Sequence, residues 1–203
     1  IFPEAMMLRR SEKTTPYNWG QTLKQDDYNK ILHAAELATD RKINLKEIIA
    51  LSDDLEECVR YWGAIGLLIR LADTAGSDGT KPTALTKKLY SEIYPIVLKL
   101  QNDSEANVKI VALEIVGRFG TEPDAGMAFK NLFILIPSGK DADTPLTQTI
   151  LAAIDSFAFR LSLAKYRNEF DTLSAIKFST RSTATAKSLV NSIFRRISNE
   201  QKN

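Results

Sequence analysis

Apolar side chains recur at spacings of three and four along most of the chain, and each such stretch predicts a helix. From Asp26, the residues Tyr28, Ile31, Leu32, Ala35 and Ala38 fall on one face, and a short helix is expected over Leu45–Leu51. Asp53 and Asp54 then stand at a helix start, where a carboxylate satisfies unpaired backbone donors. In Leu55–Ala72, Leu55, Val59, Trp62, Gly66 and Ile69 make one apolar stripe, and Cys58, Tyr61, Ile65, Leu68 and Ala72 make a second. A helix apolar on two faces belongs between neighbours, so Trp62 is expected in the core. The turn-rich stretch Ala75–Lys81 ends it. Thr83–Leu100 sets Leu85, Leu89, Ile96, Val97 and Leu100 against Lys87, Lys88, Glu92 and Lys99. It therefore reads as an outer helix, kinked at Pro95. The terminal stretch Thr183–Ile197 is again amphipathic, over Ala186, Leu189, Val190, Ile193 and Ile197.

Part of this pattern repeats. Asn102-Asp103-Ser104 precedes the apolar run Val108–Gly117, and a 49-residue shift carries Asp54 onto Asp103, Val59 onto Val108 and Arg60 onto Lys109. A weaker third copy is expected from Asp143-Thr144-Pro145 into Ile150–Ile154. Repeated helix pairs with units of roughly 40–47 residues point to an all-α fold, an α-α superhelix of the HEAT or armadillo kind. An up-down bundle is the alternative, although it requires no repeated turn-and-basic signature. No stretch alternates with period two for long enough to predict a sheet. Phe129–Ile136 is the most strand-like run and suits a buried helix equally well. Residues 1–25 read as an irregular lead-in and 26–203 as one helical repeat domain. Arg60 and Lys109 are expected to pair with turn acids or carbonyls in the service of repeat stacking.

Composition narrows the chemistry. The 203 residues are 44% hydrophobic and 26% charged, ordinary for a globular chain long enough to bury a sizeable core. A net charge of +2 provides no general field for nucleic acid or a membrane surface, and no apolar run approaches the ~18 residues of a membrane span. The only cysteine, Cys58, excludes an internal disulfide and reads as a core residue; the only histidine, His33, lacks a second ligand at helical spacing. The acids Asp53, Asp54, Glu56 and Glu57 lack the spacing and central glycine of a calcium loop. Gly76–Lys81 follows a helix rather than a strand and lacks the spacing of a phosphate-binding loop. No serine–histidine–acid set can be assembled, so no catalytic residue, metal ligand or cofactor site is expected. Asn102-Asp103-Ser104 is formally a glycosylation acceptor. From Arg160 onward, nine basic residues face three acidic ones, a balance suited either to a solvated basic helix face or to a polyanion. The chain opens on Ile1-Phe2-Pro3 without a signal-peptide pattern, which reads as a processed product, an engineered fragment, or the ordered part of something longer.

The segments DDLEECVRYWGAIGLL (53–68) and NDSEANVKIVALEIVGRFG (102–120) resemble the helical repeat extension C-terminal to the catalytic domain of some bacterial arylsulfatase-like proteins. Its acidic turn followed by Val-Arg-Tyr-Trp is matched at Asp54 and Val59-Arg60-Tyr61-Trp62, and its second Val-Arg-type helix at Asp103 and Val108-Lys109. Pro16-Tyr17-Asn18-Trp19-Gly20 with Ile31–Ala38 is similar to its opening. The sulfatase signature, Cys or Ser, any residue, Pro, any residue, Arg, has no match, because Cys58-Val59-Arg60 lacks the proline. The resemblance therefore implies a non-catalytic accessory domain, exported to the periplasm or beyond. Its partner would be a sulfatase-like catalytic domain in cis or another protein. A free-standing interaction solenoid and a polyanion-binding module remain the rival readings.

Overall fold

A computed structural model describes residues 25–76, 82–137, 145–162, 164–176 and 183–199. The fold is all-α: among the described residues there is no strand. The helices are α1 (Gln25–Thr39), α2 (Leu45–Leu51), α3 (Glu57–Thr74), α4 (Ala84–Gln101), α5 (Ala106–Phe119), α6 (Glu122–Ile134), α7 (Pro145–Phe157), α8 (Arg167–Ala175) and α9 (Thr183–Asn199); a 3-10 turn spans Ala158–Arg160. Two compact units divide the chain, Ile1–Ala112 and Leu113–Asn203, and the division falls inside α5.

In the first unit α3 is the hub, packing on α1, α2 and α4. Its two glycines explain how closely the short α2 approaches. A Cβ on Gly63 would lie 2.4 Å from the Ser52 amide nitrogen, and one on Gly66 would lie 2.7 Å from Ile48 Cγ2. The core of this unit gathers Ala38, Ile48, Ala64, Leu67, Leu71, Ile93 and Val97, all fully buried. Past residue 82, Thr83 opens α4 with a capping box to Thr86, and both hydroxyls donate to the Thr74 carbonyl at 2.8 and 2.7 Å. This fastens the start of α4 to the end of α3.

The second unit is built on aromatic rings. Phe129 of α6 stacks on Phe170 of α8 at 4.9 Å, and Phe170 meets Phe194 of α9 at 5.9 Å. Phe157 at the end of α7 fills the space that Gly117 leaves open. Helix α9 lays Ala186, Val190, Ile193 and Ile197 against α7 and the 3-10 turn. Leu189, placed on the same face by the periodicity, is only half-buried.

Several expectations need correction. Leu55 precedes α3 rather than starting it, and its side chain is 95% exposed. The buried positions of α3 are Cys58, Val59, Gly63, Ala64, Gly66, Leu67 and Leu71, so Val59 and Gly66 of the first expected stripe and Cys58 of the second are buried, while Trp62, Ile69, Tyr61, Ile65 and Leu68 are half-buried. Small residues were passed over because they look neutral in a hydrophobicity pattern, yet they mark where backbones approach. For the same reason the inner face of α1 centres on Ala34 and Ala38, while Tyr28 and Leu32 are exposed. Leu85 also points outward on α4, and Pro95 lies inside that helix. The strand-like run lies mostly in α6. Thr121 and Asp124 open that helix with a capping box, and Pro123 sits in its first turn. Residues 1–24, positions 77–81 of the Ala75–Lys81 loop and Asp143-Thr144 lie outside the described residues.

Candidate functional site

A charged cluster lies in the first unit where α3 and α5 begin. Both helices start in the same way, 49 residues apart. Asp54 Oδ1 accepts the Glu56 amide at 2.9 Å, and Asp103 Oδ1 accepts the Glu105 amide at 2.9 Å. Each aspartate thus forms a short turn through its own side chain, two residues before the helical hydrogen bonds begin. The carboxylates therefore cap the turn and not the helix: Glu56, at the N-cap of α3, makes no side-chain cap. The repeated signature recognised in the sequence corresponds to this repeated local geometry.

A cation from an earlier helix reaches each turn. Lys30 of α1 donates to Asp54 Oδ1 at 2.7 Å. Arg60 of α3 grips Asp103 with two parallel bonds, Nε to Oδ2 at 2.6 Å and Nη2 to Oδ1 at 3.0 Å. Its remaining nitrogen, Nη1, donates to the carbonyls of Leu55 at 2.7 Å and Asp54 at 3.1 Å. The side chains of Arg60 and Asp103 are only 16% and 7% exposed, so solvent screens this pair far less than an ordinary surface bridge. Burial works to raise the Asp103 pKa, but the Arg60 hydrogen bond, the Glu105 amide and the Arg60 charge together hold it below the usual carboxylate range. Asp54 is lowered too, its own burial outweighed by Lys30 and the Glu56 amide. Lys99 adds an exposed ion pair to Asp53.

Beside this clasp is a carboxyl pair that the sequence did not reveal. Burial, the charge of Glu105 and a hydrogen bond to the Glu105 side chain push Glu57 up to about 7, against the pull of Arg60. Glu57 Oε1 is buried without a donor among the described residues. Two carboxyls can hydrogen-bond only while one of them holds a proton, so this proximity favours the protonated form of Glu57. Nothing in the spacing of Glu57 and Glu105 along the chain signals that they meet.

The other signature residues are structural in position. Val59 and Val108 are fully buried, and Tyr61 and Trp62 pack edge to face at 5.7 Å. The Trp62 indole nitrogen is buried with no acceptor among the described residues. Lys109, the counterpart of Arg60, forms no ion pair among the described residues, so the expected pairing holds for Arg60 and not for Lys109. Cys58 is buried on α3, and His33 is exposed 3.9 Å from Glu36. No group of three or more His, Cys, Asp or Glu side chains among the described residues is placed to hold a metal ion. No helix among them is long and apolar enough to cross a membrane. Comparison with family models, curated proteins and solved structures finds no match to this chain.

Proposed function

We propose that this chain is a non-catalytic helical repeat scaffold, its helix pairs stacked in an α-α superhelix that presents a surface to another protein. One observation carries the reading. The cation on one helix binds the turn acid that opens a later one, Lys30 with Asp54 and then Arg60 with Asp103, a pattern compatible with stacked repeats. The chemistry of this joint suits stacking: each of the three guanidinium nitrogens of Arg60 donates to the protein itself. The partner suggested by the resemblance of residues 53–68 and 102–120 is a sulfatase-like catalytic domain in cis, in an exported bacterial protein. The reading frame upstream of Ile1 tests that association directly. A catalytic region carrying Cys or Ser, any residue, Pro, any residue, Arg is the expected result. A frame without one would overturn the sulfatase association and leave the free-standing interaction solenoid.

A further inference from the structure

A cleft of about 450 Å³ opens in the second unit between α6 and the turn that leads into α8. Its walls bring together Glu122, Gly126, Lys130, Asn131, Lys165 and Tyr166. The Tyr166 ring is held firmly. Phe129 meets it edge to face at 5.4 Å, and its hydroxyl sits where a Cβ on Gly126 would lie, 1.8 Å away. Any side chain at position 126 would push the ring out, so the glycine keeps the phenol in place at the cleft. The ammonium of Lys130 rests over the ring at 5.7 Å.

What these groups lack is protein partners. Lys165 is paired with Glu122 at 3.0 Å at the exposed rim, so that charge is balanced. Lys130 has no carboxylate partner among the described residues, and the Tyr166 hydroxyl and the Asn131 amide have no hydrogen-bond partner there. An ammonium, a phenolic O–H and a carboxamide lining one cleft offer a positive charge and two kinds of directional donor. That set complements an oxyanion. The space exceeds a bare ion and falls within the range of small-ligand sites, large enough for one sugar or aromatic ring.

We propose that this cleft binds the oxyanion group of a small organic acid or ester, with Lys130 as charge partner and Tyr166 and Asn131 as donors. The site stands apart from the scaffold reading and does not depend on it. Amide NMR of the full chain, titrated at constant ionic strength with inorganic phosphate, inorganic sulfate, phenyl phosphate and benzoate, tests it. Saturable shifts confined to residues 122–131 and 164–167 are expected, with the strongest of the four probes naming the oxyanion. Lys130→Ala should weaken that binding about tenfold and Tyr166→Phe several-fold, while Lys87→Ala on α4 leaves it unchanged. Lys130 is exposed, so its replacement should leave the melting temperature where it was. Shifts that grow linearly with probe, that spread over surface lysines alike, or whose midpoint is unchanged in a folded Lys130→Ala would overturn the proposal.

Discussion

At the scale of single residues, the joint between α3 and α5 sets two opposing pH dependences. Asp54 and Asp103 have lowered pKa values, so their contribution is present above the unfolded value of 3.8 and is lost as pH falls through the folded one. Glu57 runs the other way. Its folded pKa, about 7, lies above the unfolded 4.5, so its contribution is full below pH 4.5 and disappears as pH rises through 7. Glu57→Gln keeps one hydrogen-bonding amide beside Glu105 without the ionisation. It should raise stability at pH 8 by on the order of 1 kcal/mol, discounted for partial hydration, and leave pH 5 almost unchanged. Urea unfolding at the two pH values measures this, and equal shifts at both would refute the raised Glu57 pKa. Arg60→Ala leaves Asp103 largely buried without its partner and should cost about 2–4 kcal/mol, short of the 3–5 of a fully buried pair. Arg60→Lys keeps the charge but not the planar fork, and its urea midpoint should fall between those of Arg60→Ala and the parent chain.

At the scale of elements, most helices were legible because their amphipathic periods are long and strong. Helix α2 has the bounds its pattern predicts, and α9 departs only at its final turn. The inner faces of α1 and α3 were harder to read, because contact there is made by Ala34, Ala38, Gly63 and Ala64. Such positions are chosen for what they lack. Gly63→Ala tests this argument with a clear sign. In an exposed helix the change would add about 1 kcal/mol through helix propensity. Here the new methyl would meet the Ser52 backbone at 2.4 Å, so a net loss of about 1–3 kcal/mol is expected in thermal or urea unfolding. A neutral or stabilising result would mean that α2 is free to move away from α3. The start of α6 is legible in the sequence: Thr121, Pro123 and Asp124 spell a capped helix, which settles the apolar run after them as helix rather than strand.

At the scale of the whole molecule, the two compact units each have their own core, one built on aliphatic and small residues around α3 and the other on phenylalanine rings. On the proposed scaffold reading, incubation of the purified chain with an aryl sulfate, with or without calcium, should release no phenol; turnover abolished by a substitution within the chain would overturn that proposal. The sequence by itself determined the helical class, the positions of most helices and the repeated acid–Val–basic signature, because periodicity and turn chemistry are local properties of the chain. The identical aspartate turns at 54 and 103 follow from the same local rule. Only the tertiary structure decided that Arg60 reaches Asp103, that Glu57 meets Glu105, and that Tyr166 closes over Gly126. Each of these joins residues some 40 or more positions apart, and the packing of whole helices, rather than any neighbour in sequence, sets those distances.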